Sequence, residues 1–241
     1  MFNRLKVPVV ASLALGLSVV AAAADDLAAV ETKIVDAWQK HKTIAAKMKT
    51  ERVLSIRGMD TEAHVEGRYE LLNTGEKILF RMVSKTRSVV RLGDHERRSE
   101  QQSTMVLDDK YVYTLVSTDG KDRATKENFS SDRSPNPKAQ LEMLHKAFTL
   151  KLLPEEEVDG QKTYVIEALA KETGPQRVSR QVYHFRHDGI LVKQVVYGPD
   201  GKVMQTTTIT DIKLNNKLTP ADFVFEPPPG VPVIDQTGEK Q

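Results

Sequence analysis

His64-Val65-Glu66-Gly67-Arg68-Tyr69-Glu70-Leu71-Leu72 changes character at almost every step. Val65, Gly67, Tyr69 and Leu71 form one set, and His64, Glu66, Arg68 and Glu70 form the other. A period of two marks a strand with one face on a core and the other in water. Antiparallel sheets tolerate that one-sided exposure. Asn73-Thr74-Gly75 supplies a turn, and Lys77 to Val83 returns with Ile78, Phe80 and Met82 on one side. The two runs predict a hairpin.

Working outward, the same pattern recurs. Thr104 to Leu107 and Lys110 to Val116 flank Asp108-Asp109, with Tyr111, Tyr113 and Leu115 on one side. Lys162 to Leu169, Arg180 to Arg186, Ile190 to Tyr197 and Lys202 to Leu214 have strand composition. Asp188-Gly189 and Gly198-Pro199-Asp200-Gly201 are hairpin turns between them. Consecutive hairpins make consecutive antiparallel neighbours. Two stretches break the period. Asp26 to Met48 carries Leu27, Val30, Ile34, Trp38, Ile44 and Met48 at helical spacing, with Asp25 or Asp26 as a cap. Lys138 to Leu153 carries Leu141, Leu144, His145 and Phe148 on one stripe, and Pro154 helps stop it. Asp119 to Pro137 is polar and reads as a long surface loop. The fold class expected is α+β, mainly β. One antiparallel sheet of about eight or more strands curls under its own twist, and two helices cover its concave side. That arrangement encloses an apolar space suited to a greasy molecule. No internal repeat is seen, and the Pro-rich end reads as a tail on one sheet.

Composition narrows the function. The 35 Lys and Arg nearly balance 33 Asp and Glu. Arg4 and Lys6 belong to a segment that reads as a secretory leader, and without them the two counts are equal. Nothing here favours nucleic acid as a partner. In that leader Val7 to Val20 is apolar apart from Ser12 and Ser18, and Ala21 to Ala24 precede Asp25 and Asp26. Cleavage near Ala22, Ala23 or Ala24 is expected, leaving residues 25–241 as one domain outside the inner membrane. The competing reading is a tilted membrane anchor. There is no cysteine. That rules out a disulfide, a thiolate metal site, a cysteine nucleophile and a lipidated amino-terminal cysteine. A core alone must hold the fold, which this length allows.

The search for catalytic motifs finds none. No Gly-x-Ser-x-Gly elbow, phosphate-binding glycine loop or His-Glu-x-x-His occurs. His184 and His187 are three apart, which on a strand points them to opposite faces, so a metal pair is not expected there. Glu155-Glu156-Glu157 reads as a solvated run. Arg91, Arg97 and Arg98 are interleaved with Asp94, Glu96 and Glu100, and read as a surface cluster. No cofactor is expected. The apolar faces remain. Val65, Tyr69, Leu71, Ile78, Phe80, Met82, Tyr111 and Tyr113 are expected to line the concave side. Leu141, Leu144 and Phe148 are expected to cover them. The alternative for each is ordinary core. Met82 and Met143 are pliable, which suits a pocket for varied acyl chains.

The carboxyl-terminal segment carries a family resemblance. Thr210-Asp211-Ile212-Lys213-Leu214-Asn215-Asn216 is followed by Phe223-Val224-Phe225-Glu226-Pro227-Pro228-Pro229-Gly230-Val231. This resembles the ending of LolA-type lipoprotein carriers, a Phe-x-Phe-x-Pro-Pro-x-Gly-Val pattern after a similar turn. Asp108-Asp109-Lys110-Tyr111-Val112-Tyr113 resembles the family's central hairpin, with Asp109 in place of a turn glycine. Gly67-Arg68-Tyr69-Glu70-Leu71 resembles its glycine-bearing strand. The resemblance implies an incomplete, half-open β-barrel with a helical lid. It implies a monomeric periplasmic protein that holds acyl chains of lipoproteins or other lipid. Such a carrier takes its load from an inner-membrane release complex and delivers it to an outer-membrane receptor. Family carriers also bear an Arg-Pro after the glycine-bearing strand, and the arginine helps latch the lid; Asn73-Thr74 stand there instead. A second reading from another class is a non-transporting lipid sensor acting through a protein partner. A secreted hydrolase ranks last, for want of a nucleophile and base.

Overall fold

The alternation at 64–72 is a strand, β2 (Met59–Asn73), paired along its length with β3 (Ile78–Leu92). The structure is a computed structural model that describes residues 26–56, 58–130, 134–172 and 178–238. The expected leader, residues 1–24, lies outside the described residues. The chain opens with α1 (Leu27–Gln39) and β1 (Thr43–Ile56), ahead of the β2–β3 hairpin. It continues through β4 (His95–Leu107), β5 (Tyr111–Thr118) and β6 (Lys121–Asn128) to α2 (Pro137–Ala147). The second part runs through β7 (Phe148–Val158), β8 (Gln161–Ala170), β9 (Arg180–Arg186), β10 (Leu191–Tyr197) and β11 (Val203–Leu214), and ends with the short β12 (Val233–Asp235).

All described strands join one curved, unclosed sheet in the order β12-β6-β5-β4-β3-β2-β1-β11-β10-β9-β8-β7. The path follows from the hairpins. From the middle of the sheet the chain meanders to one edge at β6, crosses by α2 to the opposite edge at β7, and meanders back. The two halves meet where β1 pairs antiparallel with β11. This is the half-open, barrel-like sheet with helices on its inner side that the resemblance implies.

Three element boundaries differ from the sequence reading. The helix expected to reach Met48 ends at Gln39, and Ile44 and Met48 lie on β1. The helix expected to reach Leu153 ends at Ala147, where Phe148 is already extended (φ −131°, ψ 154°), so Phe148 is a strand residue. The expected long loop contains β6. Pro154 sits inside β7 rather than ending a helix, at a register shift between Leu153 and Glu156. An edge strand with a bulge tolerates a proline because no ladder bond is lost there.

Both helices begin as their residues dictate. Asp26 accepts a hydrogen bond from Ala29 N at 2.7 Å, and Asn136 accepts one from Lys138 N at 2.9 Å. Each satisfies one of the free N–H groups of a first turn. Val30, Ile34 and Trp38 form the buried stripe of α1, and Leu141 and Leu144 that of α2. Among the described residues the core has two clusters. One joins Val30, Ile34, Leu141 and Leu144 to Ile166, Ala168, Tyr183 and Phe185 of β8 and β9. The other joins Trp38 to Ile44, Leu71, Ile190 and Val192. Each large side chain so buried is worth about 1.5–3 kcal/mol relative to exposure.

The carboxyl-terminal tail covers the back of the sheet. The 3-10 turn Pro220–Phe223 buries Phe223 at 2% exposure. Arg81 donates to the Asp222 carbonyl at 3.5 Å, and Phe225 stacks on Tyr113 with ring centres 5.1 Å apart. Val233, Ile234 and Asp235 then pair in parallel with Ala124, Thr125 and Lys126 of β6. That pairing covers part of an otherwise open edge.

Candidate functional site: an apolar cavity under the helical lid

Register decides which residues face the cavity. Tyr69 stands opposite Met82, and Leu71 opposite Phe80. Phe80 stands opposite Leu107, and Leu107 opposite Val112. Directly opposed residues share a face. Val65, Tyr69, Leu71, Ile78, Phe80 and Met82 are therefore on the concave side together with Val112. Tyr111 and Tyr113 alternate with Val112 and point to the convex side. The expectation that these two tyrosines line the hollow is corrected: Tyr113 is held by Phe225 of the tail, and Lys126 lies 3.9 Å over the Tyr111 ring. The period-two pattern of β5 gives the correct set but does not say which set faces inward.

A cavity of about 220 Å³ opens on the concave side. The sheet supplies Ile44 and Met48 from β1, Tyr69 and Leu71 from β2, Phe80 and Met82 from β3, and Ile209 from β11. Phe185, Ile190 and Leu191 close the far wall, Trp38 of α1 closes one side, and Pro135, Pro137 and Gln140 lie across the top at the start of α2. Four of the expected site residues, Tyr69, Leu71, Phe80 and Met82, thus meet in one place. Tyr69 and Phe80 stack with centres 5.8 Å apart. Val65 lies farther along the same face. Ile78 lines a second, more polar cavity of about 540 Å³ at the turn end, with Asn73, Glu76, Lys77 and Asp109. Trp38 lines both. Leu141 and Leu144 are core residues between α2, α1 and the sheet, and Phe148 packs against that same cluster.

The electrostatics match an apolar ligand. Burial pushes the Tyr69 hydroxyl up to about 12, with nearby Arg186 opposing, and pushes Tyr183 up to about 12 as well, against its hydrogen bond with Gln194. Both rings stay neutral at any physiological pH. Among the described residues no group of three His, Cys, Asp or Glu could hold a metal. His187 bonds Glu155 at 2.8 Å and stacks on Tyr164, whereas His184 is buried on the convex side with Nδ1 unpartnered. No helix among the described residues is long and apolar enough to cross a membrane.

The lid is fastened at the β9–β10 turn. Asp188 gives its carbonyl to His41 Nε2 at 2.9 Å and its carboxylate to Arg186. A Cβ on Gly189 would meet α1 backbone, so the turn and the helix touch without side chains between them. Asn73 accepts from Gly75 N at 3.0 Å and shapes its own turn. Asp109 adopts φ 97°, in the positive-φ region that favours glycine. The two helices are tied by His145 Nε2 and Glu31 at 2.9 Å.

The fold and the cavity define a class: a half-open β-barrel whose apolar hollow lies under a helical lid. No family model matches the chain, and no curated protein matches it. Among solved structures, an uncharacterized conserved protein from Thermus thermophilus is similar at a TM-score of 0.54 and 14% identity, over 85% of this chain and 98% of that one. The Pseudomonas aeruginosa MucA/MucB complex is matched at a TM-score of 0.47 and 14% identity, over 82% of this chain and 60% of the other. A LolA superfamily protein from Nitrosomonas europaea is matched at a TM-score of 0.31 and 12% identity, over 84% of this chain and 99% of that one.

Proposed function

We propose that this protein is a periplasmic carrier that holds the acyl chains of lipoproteins or other lipids in its apolar cavity on the way to the outer membrane. The observation that carries the reading is the cavity wall itself. Met48, Tyr69, Phe80, Met82, Phe185 and Ile209 come from five strands and leave a hollow rather than a filled core. Interiors are normally close-packed, so an apolar hollow lined by large side chains is a site for an apolar guest. At about 220 Å³ the hollow is smaller than the roughly 300–1,000 Å³ of usual ligand sites. A full acyl chain therefore enters only as Pro135, Pro137 and Gln140 move away from the sheet. Two flexible methionines in the wall suit chains of varied length. The sequence resemblance to the LolA-type carriers and the leader expected at residues 1–24 support the same reading.

The test is purification from the native envelope followed by mass spectrometry of bound lipid, together with titration of N-phenyl-1-naphthylamine, an apolar dye without a headgroup. Acyl-bearing lipid in the preparation and saturable dye binding are expected. A protein that carries no lipid and binds no dye is not a carrier. A tightly held protein partner without lipid would favour the sensor reading instead.

A further inference from the structure

The concave face does not stay apolar along its length. In the row that crosses the cavity, Ala46, Tyr69, Met82 and Met105 stand side by side on β1 to β4. Four residues up each strand the row reads Gln194, Thr207, Thr50, Val65, Thr86 and Gln101, directly opposed across six adjacent strands from β10 to β4. Five of those six are neutral hydrogen-bonding groups. The change falls between Met48 and Thr50 on β1 and between Ile209 and Thr207 on β11, and one row nearer the cavity on β3, between Met82 and Ser84. The next row reads Val196, Gln205, Arg52, Ala63, Ser88 and Ser99, with three more neutral hydrogen-bonding groups. Several of these groups already bond one another: Thr50 and Thr207 hydroxyls at 2.9 Å, Ser88 and Ser99 at 2.8 Å, and Gln194 Nε2 to Gln181 Oε1 at 2.9 Å.

Charge is sorted onto the other side of the same strands. Lys47, Lys49, Glu51, Glu62, Glu66 and Arg87 occupy the alternate, convex positions of β1 to β3. Among the described residues, the charged arginines and lysines at concave positions of the six strands are Arg52, whose Nε at 3.0 Å and Nη2 at 2.8 Å donate to Gln205 Oε1, and the exposed Arg97 of β4, opposite Val90 and two rows beyond Gln101. The band is half-buried, with Thr207 at 9% exposure.

We propose that this band is the second half of the ligand site, and that it takes the uncharged, hydroxyl-rich headgroup of an amphiphile whose tail occupies the cavity. The inference rests on the carrier reading above and names its ligand class. A phosphate or carboxylate headgroup laid on the row from Gln194 to Gln101 would be stripped of water with no cation in that row to meet it, which is costly. Side-chain hydroxyls and amides both donate and accept, so they match a headgroup of hydroxyls group for group. The band lies one residue pair, about 7 Å, from Met48 and Ile209, and two pairs from Tyr69 and Met82, so it follows directly on the apolar wall.

The probes are decyl maltoside below its micelle-forming concentration, lysophosphatidylglycerol, a neutral diacyl lipopeptide, and the headless dye. Gln194→Glu adds a charge at constant size, and Thr86→Val removes a hydroxyl at constant shape. The wild-type protein binds the maltoside more tightly than the anionic lysolipid. Both variants weaken maltoside binding, Gln194→Glu by about tenfold and Thr86→Val by about fivefold, while dye affinity is unchanged. Dye binding together with maltoside affinity unaltered in both variants overturns the headgroup assignment alone. So does tighter binding of the lysolipid or the lipopeptide than of the maltoside. Absence of dye binding in the wild-type protein overturns the carrier reading and this inference with it.

Discussion

Gly189 sits directly against Trp38. A Cβ on Gly189 would stand 2.7 Å from the Trp38 backbone nitrogen and 2.3 Å from the Ile34 carbonyl oxygen, and the residue has φ +82°. Any side chain there meets helix backbone, which cannot swing aside as a flexible side chain could. Gly189→Ala is expected to destabilise the protein by about 2–5 kcal/mol, from left-handed strain and overpacking. It also lifts the end of α1 from the sheet. Trp38 is the single tryptophan, so urea unfolding followed by its emission reads both effects: a lower midpoint, and a red-shifted native spectrum.

The two faces of the sheet make opposite predictions for two aromatic residues. Phe80→Asp places a carboxylate in the cavity wall, and dye affinity is expected to fall at least about tenfold. Tyr113→Asp breaks the stack on Phe225 on the convex side and leaves dye affinity unchanged. Equal losses in both variants would contradict the placement of the site.

Phe223 holds the tail. Truncation to alanine at a site this buried is expected to cost about 3–5 kcal/mol. The tail between Lys217 and Val233 then becomes open to protease, and β12 leaves the β6 edge. Limited proteolysis with mass mapping checks the first, and amide exchange at Ala124 to Lys126 the second. Dye binding persists wherever the variant is still folded.

His184 makes stability depend on pH. Burial lowers its pKa from the ordinary 6.5, Lys193 adds to the effect, and Glu156 opposes it. A lowered histidine pKa means that the unfolded chain binds the proton more readily than the native one. As pH falls below about 6.5, the unfolded state gains protons first and stability drops, continuing until the native pKa is passed. Denaturation at pH about 7.5 and about 5.5 is expected to show the loss, and His184→Phe to flatten it. The same variant removes the unpartnered Nδ1, so it costs little at the higher pH.

Much of the sheet is legible because its outer face is charged. Glu66, Arg68 and Glu70 mark β2 as plainly as the apolar set does. Where charge and period coincide less well, the sequence misleads for identifiable reasons. Ile44 and Met48 are four apart, a spacing that fits a helix turn and also one face of a strand, so apolar spacing alone merges β1 with the preceding helix. Lys47, Lys49 and Glu51 alternate with Ala46, Met48 and Thr50, and that signal separates the two. Phe148 continues the α2 stripe by spacing, yet the chain turns extended there because Leu150 and Leu152 alternate after it. Phe185, Ile190 and Ile209 carry no local mark of a cavity. They reach it through the pairing of β1 with β11, which local pattern does not encode.

That pairing has a consequence for how the protein comes into being. Thr50 and Thr207 touch although 157 positions separate them, whereas nearly every other strand contact is between chain neighbours. Each meander is able to form from short-range hairpins early, while joining them must wait for a long loop to close, a slow event in folding. One wall of the hollow, with Tyr69, Phe80 and Met82, belongs to the first meander; the other, with Phe185, Leu191 and Ile209, belongs to the second. The container is thus complete only once the seam has closed, because neither half of the sheet carries both walls.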